Sequence, residues 1–248
     1  QTGAIVYHGS PHKFDKFDSS KIGTGEGAQA YGHGLYLAES PEVSKTYMRT
    51  QMGNAPELEQ MALRAGASKD AANTVAQWYH QTKDAKGLDK FLQAMREPAP
   101  SPYIQKFRDS VVKEEPALRK AWESFTDPGQ LYKVDLPDDA IAKMLDWDKP
   151  LSQQPHVLKA LRDEGYSQKY IDLFQNHKGA ELYKSMAGGE AVEDFRSAAS
   201  GVLQKQGIPG IRYLDGGSRS AGAGSSNFVV FPGNEGLLKI LERNGGKP

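Results

Sequence analysis

The residues best suited to chemistry stand in two short stretches. His8, Gly9 and Ser10 close the apolar run Ala4-Ile5-Val6-Tyr7. They put an imidazole, a residue without Cβ and a hydroxyl where a strand ordinarily passes into turn residues. The second stretch, Tyr31-Gly32-His33-Gly34-Leu35-Tyr36-Leu37-Ala38, is a glycine-flanked turn running into a short strand. Tyr36 lies in that strand, and Tyr47 follows eleven residues on, along a helix that Ser40 and Pro41 open. One aromatic from a strand and one from a helix can form two walls of a slot for a planar ring. Glycines 32 and 34 let backbone approach such a ring, or another strand, closely. A plainer reading is equally open to these residues alone: core tyrosines and an ordinary polar turn.

Positioning these groups requires a sheet, and the chain supplies strands from both ends. Residues 1–50 are rich in glycine and aromatics, with strand-like runs at 4–10 and 34–40. Residues 55–97 space apolar side chains helically, which predicts two or three helices, and the pattern resumes over 103–125 after Pro-Ala-Pro-Ser-Pro at 98–102. The aromatics Trp78, Tyr79, Phe91, Tyr103 and Phe107 of this region either shape access for a substrate or fill a helical core. Strand texture returns at 130–137, and helix or turn around Trp147 follows. Helices are expected over 156–164, 167–175, 179–187 and 190–206, and strands at 210–214 and 226–231. A short strand or helical turn is expected at 236–241. The predicted fold class is α+β: one domain over 1–248, its strands forming one sheet, with a mainly helical insertion at about 55–125.

Composition sets bounds. The chain has 248 residues, with Lys+Arg and Asp+Glu each totalling 31. Zero net charge argues against a general nucleic-acid coat or an anionic-membrane binder, although a local basic groove is compatible with it. The absence of cysteine removes disulfides, thiolate metal sites and cysteine nucleophiles. No apolar stretch approaches the roughly 18 residues of a membrane span, and the first residues lack a secretory leader's basic and apolar regions. His12, His33, His80, His156 and His177 show no metal-ligand spacing, so no metal site is expected. The glycines of Gly-Thr-Gly-Glu-Gly at 23–27 do not lead a strand into a helix, and no P-loop is present.

A strand ending in His8-Gly9-Ser10, then Gly32-His33-Gly34-Leu35-Tyr36-Leu37-Ala38, then Tyr47, resembles the ADP-ribosyltransferases of the poly(ADP-ribose) polymerase/diphtheria-toxin type. His, Tyr and Glu mark the active site of that family. The chain is closer still to the ADP-ribosyltransferase domains of phage and mobile-element polyvalent proteins and bacterial effectors. That similarity extends through 21–40, Leu-Tyr-Lys-Val-Asp-Leu-Pro at 131–137, Leu-Asp-Trp-Asp-Lys-Pro-Leu-Ser at 145–152, 207–219 and 227–231. It covers the two ends and the middle of the chain but not the helical insertion.

The resemblance implies a split β-sheet core that holds NAD as co-substrate at the junction of two small sheets. The implied activity is toxin- or effector-like mono-ADP-ribosyl transfer, a glycosyl transfer, to a macromolecular acceptor, protein or nucleic acid. Its implied place is the cytoplasm, or a target cell's cytoplasm after delivery, with no membrane partner. His8 would bond the adenosine ribose. Gly9 would offer its backbone to the nicotinamide carboxamide, its missing Cβ permitting the approach, and the Ser10 hydroxyl would bond the same amide. Tyr36 and Tyr47 would sandwich the pyridine ring.

The family's glutamate is the point of departure. Asn227 falls at its place in the polymerases, and relatives that carry Asn there read Gly-Glu-Gly in the preceding loop. This chain has Gly222-Ala223-Gly224. Relatives also carry Glu where Gln153 stands. Ala223 is therefore the expected glutamate position, which reads first as a chain inactivated there, with Glu26, Asp215 and Glu235 as alternative carboxylates. The Glu-x-Glu turn of arginine-directed transferases is missing as well, which lowers arginine as a target. A module that binds NAD, ADP-ribose or a partner protein without chemistry is the alternative function.

Overall fold

A computed structural model describes residues 3–22, 29–48, 53–84, 86–188, 193–219 and 224–248. Two compact units are present: 1–48 together with 129–248, and 49–128.

The first unit is built on one seven-stranded sheet. Its strands are β1 (Gly3–Ser10), β2 (Leu35–Ala38), β3 (Gln130–Pro137), β4 (Leu145–Asp146), β5 (Gly210–Leu214), β6 (Ser226–Val230) and β7 (Lys239–Arg243). The order is β4-β5-β6-β2-β1-β3-β7, and every pairing is antiparallel except β4 with β5. The strands from the start of the chain, β1 and β2, thus lie in the middle, between β3 and β6. This is a mixed α+β fold.

β6 is buried at every position, as an apolar strand covered on both faces must be. Its side chains alternate with period two. Phe228 and Val230 join Val6, Leu35, Tyr132 and Val134 on one face. Val229 joins Leu145, Leu161, Tyr183 and Ile211 on the other. Helices Pro155–Asp163, Gln168–Phe174, Gly179–Met186 and Glu193–Lys205 follow the sequence pattern closely. The 138–154 region holds the helix and turn expected there, at Asp138–Ile141 and Leu151–Gln153, with one addition. It contains the short strand β4, whose Leu145 and Asp146 pair with Ile211 and Arg212. Two residues carry no readable alternation, so their pairing is dictated by β5. The stretch at 235–243 holds both expected forms, a 3₁₀ turn at Glu235–Leu237 and then β7.

One join in the sheet is narrow. β1 pairs with β3 along the whole of Gly3–Ser10, but among the described residues it shares a single register pair with β2, Tyr7 opposite Ala38. Beyond that pair the facing edges line a cavity. Backbone carbonyls left at such an opening need partners, and side chains supply them. Ser44 Oγ donates to Tyr7 O at 2.7 Å, and His8 Nδ1 lies 2.7 Å from Tyr36 O. Ser44 comes from α1 (Pro41–Lys45), the short helix that begins at Pro41 as expected, although Ser40 makes no capping bond.

The second unit contains helices Ala55–Arg64, Lys69–Thr82, Leu88–Arg96, Pro102–Lys113 and Glu115–Thr126. Asn54 and Glu57 form a capping box at the first. The region 103–125, read as one resumed pattern, is two helices separated at Glu114. Pro116 has no N–H to continue the preceding helix. Leu58, Tyr79, Phe91, Trp122 and Phe125 form its core, with Trp78 packed against it. Tyr103 is 84% exposed and Phe107 36% exposed, so the aromatics of this region divide between core and surface. No helix among the described residues is long and apolar enough to cross a membrane.

Candidate functional site

The opening between β1 and β2 leads into a cleft of about 610 Å³ within the first unit. His8, Gly9, Ser10, Tyr36, Tyr47 and Asn227 all line it, although they come from three strands and the turn after α1. The 11–22 segment forms a further wall with Lys13, Phe14, Lys16 and Phe17.

His8 is fixed at one end. Its Nδ1 faces a backbone carbonyl, which can only accept, so Nδ1 carries the proton and Nε2 is left as an acceptor. Removal from water lowers the imidazole pKa, an effect partly offset by the bond to Tyr36 O. The ring is neutral at pH 7. Phe17 packs edge-on against it, centroids 5.2 Å apart. Ser10 is buried, and its Oγ accepts the His12 N–H at 3.1 Å, which leaves the hydroxyl proton to donate elsewhere.

The geometry corrects the role expected of the glycine. A Cβ at Gly9 would stand 1.8 Å from Ser44 O, so the missing side chain is needed for α1 to pack on β1 and not for a ligand to approach. Similarly, a Cβ on Gly34 would meet Val230 O at 2.5 Å, where β2 lies against β6.

Tyr36 is held through its hydroxyl, which donates to Gly32 O at 2.7 Å and accepts the Tyr31 N–H at 3.1 Å. Burial raises its pKa far above the ordinary phenol value. Its ring is fixed as a wall. Tyr47 is 39% exposed and makes no side-chain hydrogen bond among the described residues. Tyr213 was not singled out in the sequence, yet it lines the same cleft opposite Asn227 in the β5–β6 register. Its ring stacks on Tyr31 with centroids 3.9 Å apart, and Arg219 lies over the Tyr31 ring, 5.2 Å from its centroid. Burial raises the Tyr213 pKa strongly.

Asn227 is 5% exposed, and its Oδ1 has no hydrogen-bond partner among the described residues. An unpaired buried acceptor on a cleft wall is a group waiting for a donor. The carboxylates sort differently. Ala223 and Glu26 lie outside the described residues. Asp215 and Glu235 are not on the cleft wall, and Glu235 accepts the Ser19 N–H at 3.2 Å. Asp18 is the one acid among the described wall residues, and the Ser20 N–H occupies its Oδ1 at 2.9 Å. Gln153 is exposed in a 3₁₀ turn away from the wall. Its neighbour Gln154 does the structural work there, bonding both backbone groups of Asp146 and the carbonyl of Lys149. His12 reaches the wall and His33 does not. No group of three His, Asp or Glu side chains among the described residues could hold a metal ion.

The cleft therefore combines a fixed neutral imidazole, a buried hydroxyl, an orphan amide oxygen, three tyrosines and a lysine-bearing rim. Such walls suit a ligand with a flat ring, ribose hydroxyls and a negatively charged linker. Compared with protein-family models, curated proteins and solved structures, the chain finds a match in none of the three.

Proposed function

We propose that the chain is an NAD-dependent ADP-ribosyltransferase of the His-Tyr-Glu type whose cleft between β1 and β2 takes the dinucleotide. The observation that carries this reading is the convergence of His8, Gly9, Ser10, Tyr36, Tyr47 and Asn227 on one cavity. The motifs that suggested the family are separated by up to some two hundred residues of chain, yet all six side chains or backbones meet. The expected split into two small sheets is replaced by one continuous sheet, in which β1 and β2 share a single register pair beside the cleft.

In this reading the nicotinamide ring lies between Tyr36 and Tyr47, a stack worth on the order of 1 kcal/mol per aromatic pair. Its carboxamide meets the Gly9 backbone and the Ser10 hydroxyl. His8 Nε2 accepts from an adenosine ribose hydroxyl. The bond between C1′ of the ribose and the pyridine nitrogen breaks, its electron pair leaving with neutral nicotinamide. The ribosyl cation that develops is captured by an acceptor nucleophile, which releases its proton. Positioning and electrostatics lower such a barrier more than a protein nucleophile does. Asn227 Oδ1 faces the ligand with dipole only, and a full carboxylate would stabilise the cation better. Losing one such stabiliser costs about 10²–10³ in rate.

The test measures NAD binding by calorimetry and nicotinamide release, for the chain as it stands and for Ala223→Glu. Binding with release that rises about a hundredfold or more in Ala223→Glu is the expected result. Binding with no release in either form would instead assign a non-catalytic NAD or ADP-ribose module. No binding and no NAD-dependent rise in Tm would end both readings.

A further inference from the structure

The 11–18 segment forms the cleft wall next to His8, but no strand holds it. Its anchors come from distant parts of the chain. Tyr132 of β3, opposite His8 in register, is fully buried. Its hydroxyl accepts the Phe14 N–H at 2.8 Å and donates to His12 O at 3.0 Å. The Phe14 ring stacks on the Tyr132 ring, centroids 4.2 Å apart and 15° from parallel. From β7, Arg243 donates to Phe14 O at 2.9 Å, pairs with Asp15 and lies over the Tyr132 ring. All the hydrogen-bonding capacity of one buried phenol is thus spent on fixing one cleft wall.

The same anchoring sorts the charges of that wall. Asp15 is taken by Arg243, and Asp18 Oδ1 by the Ser20 N–H. Lys13 and Lys16, both on the cleft rim, have no acidic partner among the described residues. A cleft wall with two uncommitted ammonium groups beside an imidazole that accepts from a hydroxyl suits a ribose joined to phosphates, and suits a neutral pyridine much less.

We infer that Tyr132, with Arg243 behind it, is a positioning residue for the ADP-ribose half of the ligand: it holds the 11–18 wall so that Lys13 and Lys16 meet the diphosphate. This rests on the dinucleotide reading of the cleft. The pyridine half, bounded by Ser10, Tyr36 and Tyr47, touches Tyr132 only indirectly, through His12, whose N–H bonds Ser10 Oγ.

Tyr132→Phe keeps the buried ring and its stack on Phe14 but frees the Phe14 N–H and His12 O. Three ligands, NAD, ADP-ribose and nicotinamide, are titrated against the wild-type chain, Tyr132→Phe and Arg243→Ala, and amide exchange is followed in all three proteins. The expected result is a rise of about five- to tenfold in the Kd of NAD and of ADP-ribose in both variants, with the nicotinamide Kd within twofold of wild type. Amides at 12–18 exchange about tenfold faster, while those of β1 and β3 keep their protection. Lys13→Ala with Lys16→Ala weakens ADP-ribose and flattens the salt dependence of its binding. Unchanged exchange at 12–18 in Tyr132→Phe overturns the positioning role whatever the ligands do. Faster exchange with equal losses for nicotinamide and ADP-ribose overturns the assignment to the ADP-ribose half. Wild-type chain that takes up none of the three ligands defeats the dinucleotide reading itself, and the ligand part of this inference with it.

Discussion

His8 Nδ1 lies 2.7 Å from the backbone oxygen of Tyr36, across the place where β1 and β2 part. One bond therefore satisfies an orphaned strand carbonyl, fixes the imidazole's tautomer and holds the ring that a ligand would meet. The bond also has a pH signature. Burial lowers the His8 pKa below its ordinary 6.5, so the unfolded chain takes up this proton at higher pH than the folded chain does. The stability contributed by keeping His8 neutral is complete above about pH 6.5 and is lost as pH falls through the folded value. Tm measured from pH 8 to 5 is expected to fall more steeply in wild type than in His8→Gln. Calorimetry is expected to show NAD affinity falling over the same range, because protonation removes the Nε2 acceptor. Parallel Tm profiles for the two proteins would contradict the assignment.

The two tyrosines of the slot separate stability from binding. Tyr36→Phe leaves Gly32 O and the Tyr31 N–H without their partner and is expected to cost about 1–3 kcal/mol of stability. The ring remains, so NAD binding weakens little beyond that. Tyr47→Ala removes a residue already 39% exposed and should change stability by less than about 0.5 kcal/mol. Its nicotinamide affinity should drop by roughly tenfold, the value of a lost stacking face. Denaturant melts and titration of the same two proteins give the contrast directly. A Tyr47→Ala chain that binds nicotinamide as wild type does would remove Tyr47 from the site.

Arg219 lies over the Tyr31 ring of the Tyr31–Tyr213 stack. It donates to Asp148 at 3.0 Å, to the Tyr31 hydroxyl at 3.1 Å and to Leu214 O at 3.2 Å, while Asp148 also accepts the Leu214 N–H at 2.8 Å. Arg219→Ala is expected to destabilise by about 1–2 kcal/mol. NAD affinity should fall several-fold as Tyr31, and Tyr213 behind it, loosen. Arg219→Lys should recover little of either, because a point charge cannot make three divergent bonds over a ring. Full recovery by lysine would show that only charge matters here.

What could be read from the sequence, and what could not, follows from the range of the forces involved. β6 was legible because Phe228, Val229, Val230 and Phe231 form a buried apolar run, and the helices of 155–205 because their apolar spacing repeats. The cleft residues His8, Ser10, Tyr36 and Tyr47 were legible because they sit at fixed distances from glycines and strand ends. Tyr213, Tyr132 and Arg243 were not. Their roles arise from register across the sheet and from bonds spanning more than a hundred residues, as between Tyr132 and Phe14, which leave no local pattern. β4 was missed for the same reason. The glycine at position 9 was singled out for the site but explained by the wrong neighbour, since sequence does not show that α1 folds back onto it.

Gly9 provides the sharpest test of that last point. Its backbone lines the cleft, while the direction a side chain would take runs into α1, 1.8 Å from Ser44 O and 2.8 Å from Ser44 C. The obstacle is backbone, which cannot rotate away as a side-chain tip would. α1 must move in Gly9→Ala, and with it Ser44, whose hydroxyl serves Tyr7 O, and Tyr47 just beyond the helix. The expected cost is about 2–4 kcal/mol from overpacking and a broken buried bond, read as a lower denaturation midpoint. Nicotinamide affinity is expected to fall at least as far as in Tyr47→Ala, because the Tyr47 wall is displaced together with its support. Ser44→Ala separates the contributions: it removes only the bond to Tyr7 O, costing about 1–2 kcal/mol, and leaves α1 in place. Gly9→Ala with normal stability and weakened nicotinamide binding would restore the ligand as the reason for the glycine.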